Sequence, residues 1–234
     1  MDGEQGPPGP QGPQGNPGEG SDVILSFFSS NNPGDGVLNL PLQTRTIIFS
    51  MVGGGGPSSD QAGGGGAAAI YQWTIPIADA TLPIHYTIAA AGAVGGNGNS
   101  SIISVPGTNI YFEAQGGRQA VAALGGAGGD AIITTSTGPT VIAPGAAAGL
   151  MPTFSHFAAT GGAGGGNISI NGGSVLTHVG GTAAPGFGGG GASAFAPGGH
   201  GNALTLLVRG AGAGAIEDGQ AGAEGYLEIT AYRY

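Results

Sequence analysis

The sequence predicts an all-β protein, a glycine-rich, β-sandwich-like head that follows a short collagen-like stalk. Three observations carry this. Glycine recurs at every third position near the N-terminus. Short β-branched runs then alternate with glycine clusters along the rest of the chain. Apolar residues seldom recur at helical spacing, and glycine interrupts nearly every window long enough for a helix, at about 1 kcal/mol per internal glycine relative to alanine.

The stalk comes first. Gly3, Gly6, Gly9, Gly12, Gly15 and Gly18 stand in register, with prolines between them, and the frame breaks at Gly20. This is the Gly-X-Y pattern, in which three polyproline-II chains wind together and only glycine fits at the crowded axis. So few triplets do not hold a triple helix by themselves, so a trimeric head is expected to set the register. The alternative is a flexible linker. The predicted division is residues 1–20 as stalk and 21–234 as head.

Runs rich in Val, Ile, Thr and aromatics, bounded by turn residues, read as strands. They fall at 22–29, 37–40, 44–52, 68–77, 82–90, 100–105, 109–114, 131–135, 140–143, 167–170, 174–179, 203–208 and 225–232. Alternation is clear in the last. The run 44–52 drifts toward continuous apolarity, as a strand covered on both faces does. Trp73 sits in an alternating strand and is expected in the core.

The glycine clusters (53–56, 63–66, 95–96, 125–129, 161–166 and 188–191) admit two readings. In one they are turns and bulges that need positive φ. In the other they are polyglycine-II segments packed side by side, bonding through backbone groups because no side chain intervenes. The second accounts for Ala and Ser as the tolerated interruptions. Both stay open at this point.

Composition narrows function. The chain has 54 Gly and 16 Pro in 234 residues, yet it is 40% hydrophobic and only 7% charged. Disordered chains are poor in apolar residues and rich in charge, so this one is expected to fold. Its formal net charge is −9, no lysine occurs, and Arg45, Arg118, Arg209 and Arg233 are scattered. Nucleic-acid binding needs clustered cations, so neither nucleic acid nor an anionic membrane surface is an expected partner. No apolar run is long enough to insert in a membrane. Residues 1–5 lack the basic and apolar regions of a signal peptide. The absence of cysteine excludes disulfides, thiolate metal sites and cysteine nucleophiles.

No catalytic constellation is visible. His85, His156, His178 and His200 are the candidate bases, but no serine stands in a nucleophile-elbow context. The one adjacent acid pair, Glu217-Asp218, would point apart in a strand. The glycine runs lack the Lys-Ser/Thr of a phosphate loop. The expectation is a non-enzymatic protein with no cofactor and no metal. The triplets at Asn99 and Asn167 that match the glycosylation acceptor are read as chance matches.

The segment 150–157 stands out for recognition, because it sets Met151, Phe154, His156 and Phe157 between small-residue stretches. An aromatic loop on a rigid scaffold is a recognition tip, and a hydrophobic plug in the core or on a trimer axis is the competing reading. Phe187, Phe195 and His200 form a weaker second candidate with the same alternative.

Several motifs together resemble the glycine-rich domains of bacteriophage tail-fibre and other viral surface proteins. They are TRTIIFSMVGGGG (44–56), GGGGAAAIYQWTIPI (63–77), IHYTIAAAGAVGGNGNSSII (84–103), IYFEAQGG (110–117) and GQAGAEGYLEITAY (219–232). The likeness spans about residues 37–234. A collagen-like stalk before such a head is similar to fibre proteins of giant viruses and virophages as well as tailed phages. Departures are the greater length, an alanine-rich stretch at 143–149 and an extra β-like segment at 22–29. The resemblance implies a homotrimeric fibre or spike head at a virion surface or in the extracellular space. Its expected partners are a host-surface receptor or glycan, and capsid protein through the stalk. The alternative is a purely architectural capsid fibre or cement component. A secreted collagen-type head of complement-like fold fits poorly, because the aromatic-rich strand pattern is missing.

Overall fold

A computed structural model describes residues 23–76, 83–122, 124–135, 138, 140–146, 167–169, 189–193, 195–200 and 209–233. The strands predicted at 174–179 and 203–208 lie outside the described residues, as do Gly3 to Gly18 and the segment holding Met151, Phe154, His156 and Phe157. Among the described residues there are no helices.

The described chain is all-β, with eleven strands in two sheets. They are β1 (Val23–Ser30), β2 (Gly34–Leu38), β3 (Thr46–Val52), β4 (Ala69–Pro76), β5 (Ile84–Ile88), β6 (Ser101–Ser104), β7 (Tyr111–Ala114), β8 (Ala131–Thr134), β9 (Val141–Ala143), β10 (Asn167–Ser169) and β11 (Tyr226–Arg233). The first sheet has the order β1-β11-β3-β4-β10, and the second β2-β5-β6-β7-β8-β9. Neighbours are antiparallel except β10 and β4, which are parallel.

The two sheets face each other across one apolar core. Ile47, Phe49, Met51, Leu227 and Ile229 of the first meet Ile84, Ile103, Phe112 and Ile133 of the second, all essentially without solvent exposure. Residue alternation decides this facing: in β11, Leu227, Ile229 and Ala231 turn inward together. Phe49 and Phe112 meet edge to face with ring centroids 4.8 Å apart. Trp73 packs against this core as expected, at 6.2 Å from Phe112.

β3 is covered on both sides, as its continuous apolarity predicts. Its inward residues fill the core, while Val52 joins Ala67, Ala69 and Tyr226 in a second cluster on the outer face, capped by Phe195. Phe195 lies 5.8 Å from the Tyr71 ring and 5.9 Å from Tyr226, packed on the outer face of the first sheet and not in the core between the sheets. The Arg209 guanidinium stacks on the Tyr226 ring at 4.4 Å. β4 carries a bulge: register shifts between Phe49 and Met51, Gln72 takes φ 47°, and its amide donates to the Ser50 hydroxyl at 3.1 Å.

Two strands differ from the sequence reading in ways that chemistry explains. β2 begins earlier than predicted, at Gly34. A Cβ on Gly36 would overlap the Tyr86 ring, so glycine lets that ring lie flat on the strand. The segment 22–29, read as an extra element between stalk and head, is the edge of the first sheet, where β1 pairs along its length with the closing strand β11.

Candidate functional site: four loops carried on glycine hairpins

At one end of both sheets the strands run into glycine- and alanine-rich segments. Gly53 follows β3, Ala67-Ala68 precede β4, Ala89 follows β5, Gln115 follows β7, and Gly225 precedes β11. Beyond that end the chain continues as paired extended segments. The Gly53 amide donates to Ala68 and Gly56 to Gly65. Asn99 donates to Ala90, Gln115 to Asp130, Arg118 to Ala127, and Gly210 to Glu224.

These glycine hairpins bond to one another in a repeating order. Along 53–56, the amides of Gly53, Gly54, Gly55 and Gly56 donate to Ala68, Asn99, Ala223 and Gly65, at 2.7–3.1 Å. The fourth returns to the partner of the first. Along 64–68, Gly64 and Ala67 donate to the segment of Ala213 and Gly210, while Gly65 and Ala68 donate to that of Arg118 and Gln115. The donor direction thus repeats every third residue, and each segment is tied to neighbours on several sides.

Glycine is required here for close approach. None of Gly53–Gly56 or Gly63–Gly66 has positive φ; among the described residues the positive-φ glycines are Gly34, Gly95, Gly107, Gly210 and Gly219. A Cβ on Gly55 would instead overlap the Ala211 carbonyl oxygen, and one on Gly65 that of Ala127. Both clashes are with backbone, which has no rotamer to give way.

At the far end four tight loops come together. The Ser59 amide donates to Ala62, Gly96 to Ala93 and Gly219 to Ile216, while Val121 and Leu124 exchange backbone bonds. The loops are stitched side by side. Ser59 Oγ donates to the Ala122 carbonyl at 2.6 Å. The Gln119 amide donates to Asn97 Oδ1 at 3.0 Å, and the Ser58 amide to the Gln220 carbonyl at 2.9 Å. Ala122 is held at φ 50°, the left-handed conformation that a two-residue hairpin loop demands. A fifth hairpin, closed by Ser193 donating to Ala196, points the other way and brings Phe195 onto the first sheet.

The tip presents Val94, Val121 and Leu124, which are 59%, 58% and 42% exposed, beside the exposed acids Asp60, Glu217 and Asp218. Glu217-Asp218 sits in an exposed turn. The sequence reading missed these loops because their residues are small and scattered over 160 positions; the only local signal was the tight Gly-rich turn flanked by lone valines.

A concavity lies on the outer face of the second sheet. It is a shallow groove of about 480 Å³ lined by Asp35, Val37, His85, Thr87, Ile102 and Ser104 among others. Thr87 Oγ1 donates to Asp35 Oδ1 at 2.6 Å. On the same face Glu113 accepts from Ser100 Oγ at 2.7 Å and from Tyr111 OH at 2.9 Å. Burial first, then the Glu113 hydrogen bond and charge, push the Tyr111 phenol up to about 12. His200 is exposed. Among the described residues no group of three His, Asp or Glu is placed to hold a metal. No protein-family model and no curated protein matches this chain.

Proposed function

We propose that this chain is a non-enzymatic surface fibre or spike head, carried on a collagen-like stalk at a virion surface and mediating host attachment through its distal loops. The observation that carries the reading is polarity along the molecule. The stalk repeat ends just before Val23, at the pole of the sheets where β1 begins, and the four stitched loops lie at the opposite pole. A ligand-binding end held far from an attachment end is what a fibre head needs, and loops on a rigid scaffold are the usual carriers of recognition.

The glycine body between the poles is read as a polyglycine-II bundle. Donors that turn every third residue and lack intrasegment bonds are the signature of a helix with 3 residues per turn and about 3.1 Å rise. Six residues from Gly53 then reach about 19 Å beyond the sheets. Rigidity comes from the bonding of each segment to several neighbours.

The test uses the whole chain. Light scattering is expected to give three times the chain mass of 22.2 kDa. The labelled protein is expected to bind a subset of a panel of bacterial and eukaryotic cells, with at least tenfold loss in the V94S/V121S/L124S variant. A monomer that binds no cell removes the reading. A trimer that binds capsid protein and no cell assigns the architectural role instead.

A further inference from the structure

We infer that the exposed outer surface of β1 is a self-association surface, covered by a second copy of this chain around a threefold axis that continues the stalk. This rests on the reading of residues 3–18 as a triple helix.

β1 is an edge strand that pairs only with β11 among the described residues. Leu25 and Phe28 turn inward onto the core, and Phe28 lies 5.0 Å from the Tyr86 ring. The other side of the strand is not covered: Ile24 and Phe27 are 60% and 62% exposed. Exposed edges invite pairing and aggregation, and soluble proteins blunt them with charges, prolines or a covering element. Residues 23–30, VILSFFSS, contain no charge and no proline. The one irregularity is the bulge between Ile24 and Ser26.

The stalk supplies the cover. Only four residues lie between Gly18 and Val23. At about 3.3 Å per residue, each copy's Val23 stays within about 20 Å of the common axis of a triple helix. Three apolar edges are therefore delivered to the same place. A threefold contact is heterologous, so unlike patches of successive copies meet. β2 is the edge of the second sheet on the same flank, and its Val37 is 53% exposed. The β1 side of one copy accordingly meets the β2 side of the next.

The chain has no cysteine, so Phe27→Cys combined with Val37→Cys places one thiol on the β1 side and one on the β2 side, and Val121→Cys provides a control at the opposite pole. In the full chain, oxidised F27C/V37C is expected to cross-link between copies, while V121C does not. I24E/F27E is expected to drop threefold in mass by light scattering with its near-ultraviolet circular dichroism unchanged. If the unchanged chain is a trimer, F27C/V37C stays uncross-linked and I24E/F27E remains trimeric, the inference falls and the stalk reading survives. If the unchanged chain shows no collagen-type circular dichroism yet is trimeric and F27C/V37C cross-links, the stalk reading falls and the inference stands. A monomeric unchanged chain overturns both.

Discussion

Ser101 of the second sheet donates its hydroxyl to the carbonyl of Val52 in the first, at 2.8 Å, and accepts from the Ala89 amide at 3.0 Å. It has no solvent exposure. One small side chain thus ties three strands together where the sheets give way to glycine. Ser101→Ala leaves a buried amide and a buried carbonyl without this partner. The expected loss is about 1–3 kcal/mol of unfolding free energy, read by urea denaturation. Ser100→Ala, on the partly exposed outer side, is expected to cost less.

Gly55→Ala and Gly65→Ala each drive a methyl into a neighbouring segment's carbonyl. Overpacking of this kind costs about 1–3 kcal/mol or more, and a body bonded on several sides relaxes poorly. Both variants are expected to unfold at clearly lower urea concentration. Gly95→Ala is the contrasting case, with φ 92° and nothing within 4 Å of its Cβ position. Its penalty is backbone strain alone, confined to one tip loop. Equal effects at Gly55 and Gly95 would remove the close-packing account.

Tyr111 gives the pH prediction. Its folded pKa of about 12 stands above the ordinary 10.0. The fold therefore favours the neutral phenol. That contribution is fully present below pH 10 and is lost as pH rises from about 10 to 12. The melting temperature is expected to fall through this window, and less steeply in Tyr111→Phe. Tyrosinate absorbance should lose one late-ionising phenol in this variant and keep that of Tyr226, which burial also pushes up. In Glu113→Gln the Tyr111 titration is expected to move down while staying above its ordinary value, because burial is the larger cause.

Val94, Val121 and Leu124 are exposed at the tip. Single serine substitutions there are expected to change stability by less than about 0.5 kcal/mol, so any loss of cell binding reports recognition. Ser59→Ala differs, since Ser59 Oγ holds the Ala122 carbonyl of the neighbouring loop. It is expected to weaken binding through misplaced loops while the sheets melt unchanged.

Strand placement was legible in the chain because period-two alternation is local. Thr46–Val52 and Tyr226–Arg233 announce themselves by their own residues, and so does the all-β class. Which strands become neighbours was not legible: β1 pairs with β11, some 200 residues away in sequence, and nothing in residues 23–30 names that partner. The tip was hidden for the same reason. Ser59, Asn97, Ala122 and Gln220 are unremarkable in sequence and become one surface only when four hairpins stand side by side. The glycine runs show the division most sharply. Their composition alone admits turns or packed extended segments, since glycine permits both. The tertiary structure decides, because only there do Gly55 and Gly65 meet a neighbouring carbonyl where a side chain would have been.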